Sequence, residues 1–463
     1  MGPVLSATVD AMSDHIMFKS HAEIEAAQEA NFAETMELAI TRHPWCARIM
    51  AERGLTRDDF GSLADIVKLP VTTKQDYMSA PDDFRLNTEG LAPEMQAAWD
   101  VMHTTGSTTG KPTPFHSTTW DFYDILTLQH AMMTLRNVDE NDVIANLFPL
   151  TMWPHGGFTR AIHAAAVMNL PMVTVLPGNP SPHFQWGRGL DEVVATVQRS
   201  RATIIWGVTS YIRRVLVRAA ELGADFSPVR LVLVTGEAAP EGLRRDLVAR
   251  LEAIGARDPF VSISYGATEL QGGMVECAPG SGYHNPVPDQ YYVEIVDPET
   301  HAPVPDGESG LILLTHLRRR GTLLLRYALG DITRRSRETC SHCGANTDRL
   351  IEIPRRADSL VKIRGMLVNP DLISEILAAE PSVAEFQIVI DRVDPADRHS
   401  MDQMILRIAL TGAEATTAGL ADRVKQAVGV TPVMEIVSGD DIYRPGDTLK
   451  SKRIMDLRLN ATN

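Results

Sequence analysis

Short apolar segments alternate with segments of helical composition between residues 140 and 270, and this alternation limits the fold of the 463-residue chain most strongly. Helices are expected at Leu190–Arg199, Tyr211–Leu222 and Glu241–Ile254. The five apolar runs have the length of strands and read VIANLFPL, MVTVLP, ATIIWGV, VRLVLV and FVSISYG. Such near-continuous apolar strands are typical of parallel sheets covered by helices on both faces. The sequence therefore predicts an α/β fold with stacked sheets in a large N-terminal domain.

Two later regions depart from this pattern. The segments YYVEIVD, GLILLTHL and TLLLRYAL are separated by Pro, Gly and Asp turns, which predicts an antiparallel β subdomain at about 285–350. After residue 357, strands and two helices alternate over about 105 residues, a normal size for a small domain. We therefore predict an N-terminal domain at 1–357 and a small α+β C-terminal domain at 358–463.

Charge, cysteine content and apolar runs limit the partners and the cellular location that the chain can have. The chain has 44 Lys and Arg against 59 Asp and Glu, a net charge of −15, which argues against a surface for nucleic acid or anionic lipid. Four cysteines are too few for a disulfide framework in a chain of this length. No apolar run approaches the ~18 residues that cross a bilayer, and the N-terminus lacks the layout of a signal peptide. We expect a cytoplasmic protein with no nucleic-acid and no membrane partner.

A run of three arginines, Arg318-Arg319-Arg320, follows the second strand of the predicted β subdomain. The surrounding chain is acidic, and runs of like charge are usually solvated. We therefore expect these side chains to lie in an exposed turn between strands.

The sharpest local feature is the segment T-T-G-S-T-T-G-K-P at 104–112. Its backbone N–H groups, hydroxyl groups and single lysine are the inventory that holds phosphate oxygens. A Walker A loop has four residues between its glycines, whereas three separate Gly106 from Gly110, and Pro112 follows Lys111 in place of Ser or Thr. The segment is therefore either a phosphate loop of another kind or a flexible surface hairpin.

Six motifs occur in one order along the chain. They are HPWCARIMAERGLTRDDFGSLADIVKLPVTTKQDYM at 43–78, the loop at 104–112, SYGATE at 264–269, RYALGD at 326–331, RRADSLVKIRG at 355–365 and LKSKRIMDLR at 449–458. On these motifs the sequence resembles the adenylate-forming (acyl-CoA synthetase) superfamily, and within it the phenylacetate–CoA ligase-like branch, over nearly the whole chain. The resemblance implies that a carboxylic acid and ATP give an acyl-adenylate and pyrophosphate, and that coenzyme A then displaces AMP.

The resemblance assigns nucleotide-binding roles to the matching positions. Glu269 is expected to hold Mg²⁺ with phosphate oxygens, and Thr268 to bond the α-phosphate. Asp331 is expected to accept hydrogen bonds from the ribose hydroxyls, with the cation of Arg356 nearby. The ATP- and AMP-binding set as a whole is Thr104, Thr105, Gly106, Ser107, Thr108, Thr109, Gly110, Lys111, Gly236, Glu237, Ala238, Tyr265, Gly266, Thr268, Asp331 and Arg356.

The resemblance also implies that the C-terminal domain swings between the two half-reactions about a hinge at Asp358. Lys450 would bridge the substrate carboxylate and the α-phosphate as the catalytic lysine, stabilising developing negative charge. Family motifs usually have glycine before this lysine, and here Leu449 stands there. That departure leaves Lys452 open as the alternative.

Cys340 and Cys343 form a C-x₂-C pair, the commonest half of a zinc site. The phenylacetate–CoA ligase-like branch often carries a cysteine and a histidine at the positions of Cys277 and His284. We therefore predict that Cys277, His284, Cys340 and Cys343 bind one structural Zn²⁺. His342 is a rival fourth ligand, and four protein ligands would leave no open position for catalysis.

The acyl pocket is the part of the site about which the sequence says least. By resemblance, the segments at 148–158 and 206–211 line the substrate. Their aromatic side chains favour a flat aromatic acid over a long fatty acid. The predicted pocket residues are Trp153, His155, Phe158, Trp206, Gly207 and Tyr211.

The reaction's acceptor is open at this stage. An aryl-acid–CoA ligase is the leading interpretation, with ATP, Mg²⁺ and coenzyme A as its small molecules. One alternative delivers the acyl group to the phosphopantetheine of a carrier protein, and another transfers AMP to a hydroxyl group as coenzyme F390 synthetases do. A homodimer is compatible with the sequence, which does not determine the oligomeric state.

Overall fold

The computed structural model describes residues 14–103, 113–150, 156–178, 187–237, 239, 241–356, 361–363, 366–395, 397, 400–412, 415–444 and 451–458. The chain divides into two compact units. Unit 1 comprises Met1–Asp142, Trp153–Pro171 and Ser262–Ala357, and unit 2 comprises Val143–Met152, Met172–Val261 and Asp358–Asn463. The chain passes from unit 1 to unit 2 at the predicted boundary after residue 357. The two-domain division at 1–357 and 358–463 stays a prediction, because unit 2 also includes earlier segments.

The secondary structure is mixed throughout. The α-helices are α1 (His21–Arg42), α2 (Pro44–Arg53), α3 (Lys74–Ser79), α4 (Pro93–Gln96), α5 (Thr119–Thr134), α6 (Gly156–Val167), α7 (Leu190–Ser200), α8 (Thr209–Glu221), α9 (Glu241–Ala253), α10 (Pro370–Ala378), α11 (Leu420–Val428) and α12 (Gly439–Ile442). Short 3-10 helices cover Ile16–Phe18, Arg57–Asp59, Leu63–Lys68, Pro81–Phe84 and Thr268–Leu270.

The strands are β1 (Ala98–His103), β2 (Pro114–Thr118), β3 (Ile144–Asn146), β4 (Met172–Thr174), β5 (Ile204–Val208), β6 (Leu231–Thr235), β7 (Phe260–Ala267), β8 (Gly272–Val275), β9 (Tyr283–His284), β10 (Tyr291–Val296), β11 (Ser309–His316), β12 (Tyr327–Ser336), β13 (Arg349–Leu350), β14 (Arg355–Arg356), β15 (Val361–Ile363), β16 (Met366–Val368), β17 (Val383–Arg392), β18 (Asp402–Leu410), β19 (Val433–Ile436) and β20 (Ile454–Asp456). Among the helices of the described part of the chain, none combines the length and apolar character needed to cross a membrane.

Unit 2 contains the predicted parallel sheet. Its strands follow the order β6-β5-β3-β4, and each neighbouring pair is parallel. All five residues of β5 are buried, as expected of a central strand covered on both faces. Helices α7, α8 and α9 connect or follow these strands close to the predicted bounds. The α/β class is therefore confirmed.

The C-terminal part of unit 2 forms a second sheet of α+β type. Its order is β19-β18-β17-β20, with β17 and β18 antiparallel and the two outer strands parallel to their neighbours. The strands β15 and β16 form a separate antiparallel hairpin. Helices α10 and α11 lie within this part, in agreement with the strands and two helices predicted after residue 357.

Unit 1 contains the predicted antiparallel β subdomain. The strands follow the order β10-β11-β12-β13-β9-β8-β7, and β14 pairs with β12. The third predicted strand, TLLLRYAL at 322–329, is displaced, because β12 begins only at Tyr327 and extends to Ser336. The N–H groups of Thr322 and Leu323 bond the carbonyls of His116 and Phe84, and Arg326 has a φ of 45° that interrupts an extended backbone. Leu323, Leu324 and Leu325 are buried in the core and lie before the strand, whereas Leu329 is half-buried within β12.

The expectation of a solvated turn at Arg318–Arg320 is wrong. The Arg319 and Arg320 side chains are 5% and 1% exposed. Arg320 donates to the carbonyls of Arg318 and Arg319 and to Glu34, and Arg319 donates to the carbonyl of His116. Arg319 and Arg320 can be buried because, besides the carbonyls of the run itself, they meet His116, Glu34 and Asp121, which are distant in sequence.

Candidate active site

Tyr265, Asp331 and Arg356 meet at one place in unit 1. The Tyr265 hydroxyl donates to Asp331 Oδ2 at 2.7 Å, and Arg356 Nε lies 3.6 Å from Asp331 Oδ1. Strand pairing fixes this arrangement, because Asp331 on β12 is directly opposite Arg356 on β14. Gly330 has a φ of 81°, and a Cβ atom there would lie 2.7 Å from Arg356 Nη1. The left-handed φ favours glycine here, and the absence of a Cβ atom leaves room for the guanidinium.

Burial raises the pKa of Tyr265 well above its usual range, and the neighbouring Asp331 carboxylate adds to the effect. The phenol is therefore neutral and remains a hydrogen-bond donor. Its bond to Asp331 Oδ2 orients the carboxylate, which keeps further lone pairs on both oxygens for other donors. Tyr265 and Asp331, both predicted to bind the nucleotide, are thus brought together by the fold.

Thr268 and Glu269 lie on a 3-10 turn directly after β7. The turn ends at Gln271, which has a left-handed φ of 54°. His316 Nε2 donates to the Glu269 carbonyl at 2.9 Å, while its Nδ1 accepts from the backbone N–H of Leu324 at 3.1 Å. Burial lowers the pKa of His316 to about 3, so the ring is neutral, and these two bonds fix its tautomer. His316 therefore holds the backbone of the turn that carries Glu269.

The Glu269 carboxylate is half-buried, and this burial raises its pKa. The nearby charges of Lys74 and Arg356 and a hydrogen bond from the Tyr327 hydroxyl act in the opposite direction. A half-buried carboxylate beside cations can bind a divalent ion and phosphate oxygens together. The predicted role of Glu269 in holding Mg²⁺ therefore has suitable surroundings.

Lys74 is a candidate site residue that the sequence interpretation did not single out. It is the first residue of α3, whose N-cap Thr73 forms a capping box with Asp76. Thr72 anchors the preceding backbone, because its N–H bonds the Arg326 carbonyl and its carbonyl accepts from Ala328 N–H. Burial lowers the pKa of Lys74, and Glu269 is the first of its charged neighbours. In the sequence, Lys74 lies in the segment VTTKQDY of the motif at 43–78, and its place in that motif could have marked it as a candidate.

Glu237 connects the end of β6 to the C-terminal segment within unit 2. Its carboxylate accepts from the N–H and the hydroxyl of Ser210, at 2.9 and 3.0 Å, and from the N–H of Ser451 at 3.0 Å. Ser451 is buried and follows Lys450 in sequence, whereas the side chain of Lys452 is exposed. Glu237, which was predicted to form part of the nucleotide site, thus fixes the residue next to the predicted catalytic lysine.

The described acyl-pocket residues are distributed over both units. In unit 1, Phe158 is half-buried on α6. In unit 2, Trp206 and Tyr211 are each 3% exposed. A Cβ atom at Gly207 would lie 3.1 Å from Leu147 Cβ. The Tyr211 ring meets the Tyr443 ring edge-on, with centroids 6.4 Å apart. Their role in substrate binding stays a prediction.

Several predicted site residues lie outside the described residues. They are Thr104, Thr105, Gly106, Ser107, Thr108, Thr109, Gly110, Lys111, Trp153, His155, Ala238, Asp358 and Lys450. Gly236, by contrast, is described and has a φ of 86° at the end of β6, and Gly266 is exposed on β7.

Cys277, His284, Cys340 and Cys343 form a compact cluster in unit 1. Their ligand atoms all lie within 4.8 Å of one another. Cys277 Sγ is 3.8 Å from Cys340 Sγ, and Cys343 Sγ is 3.4 Å from His284 Nε2. A tetrahedron with Zn–S bonds of ~2.3 Å places its sulfur atoms about 3.8 Å apart. His284 Nδ1 donates to the Val275 carbonyl, which leaves the Nε2 lone pair for a metal. The residues therefore fit a tetrahedral ion.

The chain was compared with known protein families and proteins. The model of the AMP-binding enzyme family matches residues 40–317. The chain belongs to the AMP-binding enzyme family. It is 25% identical to a phenylacetate–coenzyme A ligase of Thermus thermophilus over 457 residues, covering 94% of this chain and 97% of that protein. It is 26% identical to the phenylacetate–coenzyme A ligase of Escherichia coli over 473 residues, covering 99% and 98%.

Among solved structures, that of 2-hydroxyisobutyryl-CoA ligase in the postadenylation state superposes with a TM-score of 0.76 and 21% identity. The match covers 95% of this chain and 91% of that one, and it supports the fold. The family match and the two full-length relatives confirm membership of the adenylate-forming superfamily, in its phenylacetate–CoA ligase-like branch.

Proposed function

We propose that this protein is an aryl-acid–CoA ligase. It activates an aromatic carboxylic acid with ATP to an acyl-adenylate, releasing pyrophosphate, and then forms the thioester with coenzyme A. The observation that carries the proposal is the convergence of Tyr265, Asp331, Arg356, Glu269 and Lys74 in unit 1. The phenylacetate–coenzyme A ligases of Thermus thermophilus and Escherichia coli, matched over nearly their full lengths, support an aromatic acid and coenzyme A.

Within this group of residues, those proposed to bind the sugar differ from those proposed to bind the phosphates. Asp331, oriented by the Tyr265 hydroxyl, accepts hydrogen bonds from the ribose 2′- and 3′-hydroxyls. Glu269 holds Mg²⁺, which when bound neutralises phosphate charge and orients the triphosphate. Lys74, beside Glu269, contributes a cation to the same phosphate oxygens. When the substrate carboxylate attacks the α-phosphorus, the bond to pyrophosphate breaks, and preorganised cations stabilise the charge that develops.

Lys450 is the proposed cation at the attacking carboxylate. The Ser451 N–H bonds Glu237 just after β6 and so fixes the backbone between the two candidate lysines, and the preference for Lys450 comes from the surroundings of Lys452. The exposed side chain of Lys452 and the bond from Gln387 Nε2 to the Lys452 carbonyl associate that lysine with the C-terminal sheet. Thr268 is proposed to hydrogen-bond the α-phosphate. Asp358 is proposed to be the hinge about which the C-terminal domain moves.

The cysteine and histidine cluster is proposed to hold one structural Zn²⁺. With Cys277, His284, Cys340 and Cys343 as ligands, the ion would cross-link the segment after β8 to the segment between β12 and β13. Four protein ligands give the ion a structural role with no open coordination position. Elemental analysis of the purified protein should find one zinc per chain, and a value near zero would contradict the site.

The test of function measures pyrophosphate release by the purified full-length protein with ATP, Mg²⁺ and a panel of aromatic acids. We expect release that depends on the acid, thioester formation with free coenzyme A, and loss of adenylation in Lys450→Ala. Lys452→Ala is the matched control and should retain adenylation. Pyrophosphate release without any acid would favour AMP transfer to a hydroxyl group, and thioester formation only on a pantetheinylated carrier would favour the carrier-protein alternative.

A further inference from the structure

The turn that carries Thr268 and Glu269 is fixed at four successive backbone carbonyls. Gln271 closes the turn, because its N–H and its Nε2 atom both donate to the Thr268 carbonyl, at 3.1 and 2.5 Å. The next three carbonyls each accept a hydrogen bond from a side chain of another segment. The donors are His316 Nε2, the Tyr291 hydroxyl and Arg160 Nε, which bond the carbonyls of Glu269, Leu270 and Gln271 at 2.9, 2.8 and 3.1 Å. A backbone fixed in this way presents its side chains in one arrangement.

Arg160 differs from the other two donors in the element that it comes from. His316 and Tyr291 are directly opposite one another on β11 and β10, in the β subdomain, whereas Arg160 lies on α6. The Arg160 side chain is 4% exposed, and its Nη2 atom donates to Gln271 Oε1 in addition to the bond from Nε to the carbonyl. Because the guanidinium is planar and rigid, it fixes both the backbone and the side chain of Gln271.

The third nitrogen of the guanidinium contacts α6 itself and strand β1. Arg160 Nη1 donates to His163 Nδ1 at 3.1 Å and lies 3.6 Å from Asp100 Oδ2. Burial and the charge of Arg160 lower the pKa of His163 to about 4, so the ring is neutral and its Nδ1 atom can accept the bond. Asp100 lies on β1, which ends at His103, immediately before the predicted phosphate loop at 104–112.

Arg160 therefore connects three segments to which the proposed function gives different tasks. It lies two residues after Phe158, a predicted acyl-pocket residue on the same helix. Its bonds to Gln271 hold the turn of Glu269, which is proposed to bind Mg²⁺. Its ion pair with Asp100 reaches the strand that precedes the predicted phosphate loop. A single buried side chain thus relates the acid, the metal ion and the phosphates to one another.

We propose that Arg160 is a positioning residue for adenylation, which aligns the turn of Thr268 and Glu269 with the acid-binding helix α6. In this role it acts through Gln271 and not on the reacting atoms. The proposal rests on the proposed function, because the turn is there assigned to Mg²⁺ and the α-phosphate. Residues that orient a metal-binding group from behind contribute about 10- to 100-fold to metal affinity or activity. Small displacements of aligned reacting groups also slow the chemical step strongly.

The test measures acid-dependent pyrophosphate release at fixed ATP and varied free Mg²⁺. In Arg160→Met we expect kcat to fall about tenfold and the half-saturating concentration of Mg²⁺ to rise about tenfold. Gln271→Met breaks the same connection but leaves the charge beside Asp100 in place, and it should shift both values in the same directions. Because the two residues act as one unit, the double variant should be no slower than the slower single variant.

Arg335→Met is the matched control, because Arg335 is also a buried arginine of unit 1, which donates to the Val293 carbonyl at 2.8 Å and pairs with Asp306 at 3.0 Å. It should leave kcat and the Mg²⁺ dependence unchanged, and an equal shift there would overturn the proposal. An unaltered Mg²⁺ dependence in Arg160→Met, or in Gln271→Met where Arg160→Met does not fold, also overturns it. A wild-type protein that releases no pyrophosphate with any acid refutes the proposed function instead.

Discussion

At the scale of single residues, the charge of Lys74 is expected to contribute to binding of the triphosphate. Its burial beside Glu269 places a cation where the triphosphate is proposed to bind. We predict that Lys74→Met, which removes the charge and keeps the length, lowers kcat/KM for ATP by roughly 10- to 100-fold, the worth of a hydrogen bond to a charged group. Steady-state kinetics at varied ATP provide the measurement.

The pH profile separates an electrostatic role of Lys74 from a merely structural one. Lys74 favours the charged form of Glu269, so its removal should raise the pKa of Glu269 further and move the acid limb of the profile to higher pH. Lys68→Met is the control, since Lys68 lies in the same sequence module and pairs with Asp65 at 3.0 Å. An unaltered KM for ATP and an unaltered profile in Lys74→Met would contradict the assignment.

At the scale of secondary-structure elements, an ion pair locks the beginning of β12 onto β10. Glu294 and Arg326 are each 4% exposed and lie 3.1 Å apart, and Arg326 also donates to the carbonyls of Leu69 and His301. We predict that Arg326→Met lowers the free energy of unfolding by about 3–5 kcal/mol, because it leaves a buried carboxylate without its partner. Denaturant unfolding monitored by circular dichroism measures the loss.

The sign of the pH dependence follows from Glu294. Burial already raises its pKa and Arg326 opposes that shift, so Arg326→Met raises the pKa further. A carboxyl group with a raised folded-state pKa loses stability as pH rises through that pKa, so the deficit of the variant should be smaller at pH 5 than at pH 8. Arg334→Met on the same strand removes an exposed pair with Glu352 and should cost at most about 1 kcal/mol. A deficit independent of pH would contradict this account.

Elements with a strong local pattern were predictable from the sequence, and those set by distant partners were not. Strand β5 and helix α8 lie close to their predicted bounds, because an apolar run and a helical periodicity are local properties of the sequence. The start of β12 was misplaced, because the hydrogen bonds of Thr322 and Leu323 go to His116 and Phe84, far away in sequence. Of the candidate metal cluster, Cys340 and Cys343 were predictable from their C-x₂-C spacing, and Cys277 and His284 from the family resemblance. Lys74 lies within the motif at 43–78, but nothing local in that segment indicates that it lies near Glu269, which the fold brings from far away in sequence.

At the scale of the whole molecule, unit 2 joins chain segments that are distant in sequence. Ala384, Asp440 and Tyr443 contact helix α8 through polar groups, and Arg213 Nη1 donates to the Ala384 carbonyl at 2.8 Å. Arg214 Nη2 lies 2.5 Å from Asp440 Oδ1, and Arg214 Nη1 donates to the Tyr443 carbonyl at 3.3 Å. Together with the bond from Ser451 to Glu237, these contacts hold described segments of the predicted C-terminal domain against helix α8 and the residues that follow β6.

This docking should favour the first half-reaction, in which Lys450 is proposed to act. We predict that Arg214→Met slows adenylate formation about fivefold, the effect of losing a half-exposed pair worth ~1 kcal/mol, while thioester formation from preformed adenylate is not slowed. Rapid-quench measurement of the two steps separates them. Arg218→Met is the matched control on the same helix, because Arg218 pairs only with Asp191 and Glu221 among the described residues. Equal slowing of both steps would mean that Arg214 supports the fold of unit 2 and has no specific effect on docking.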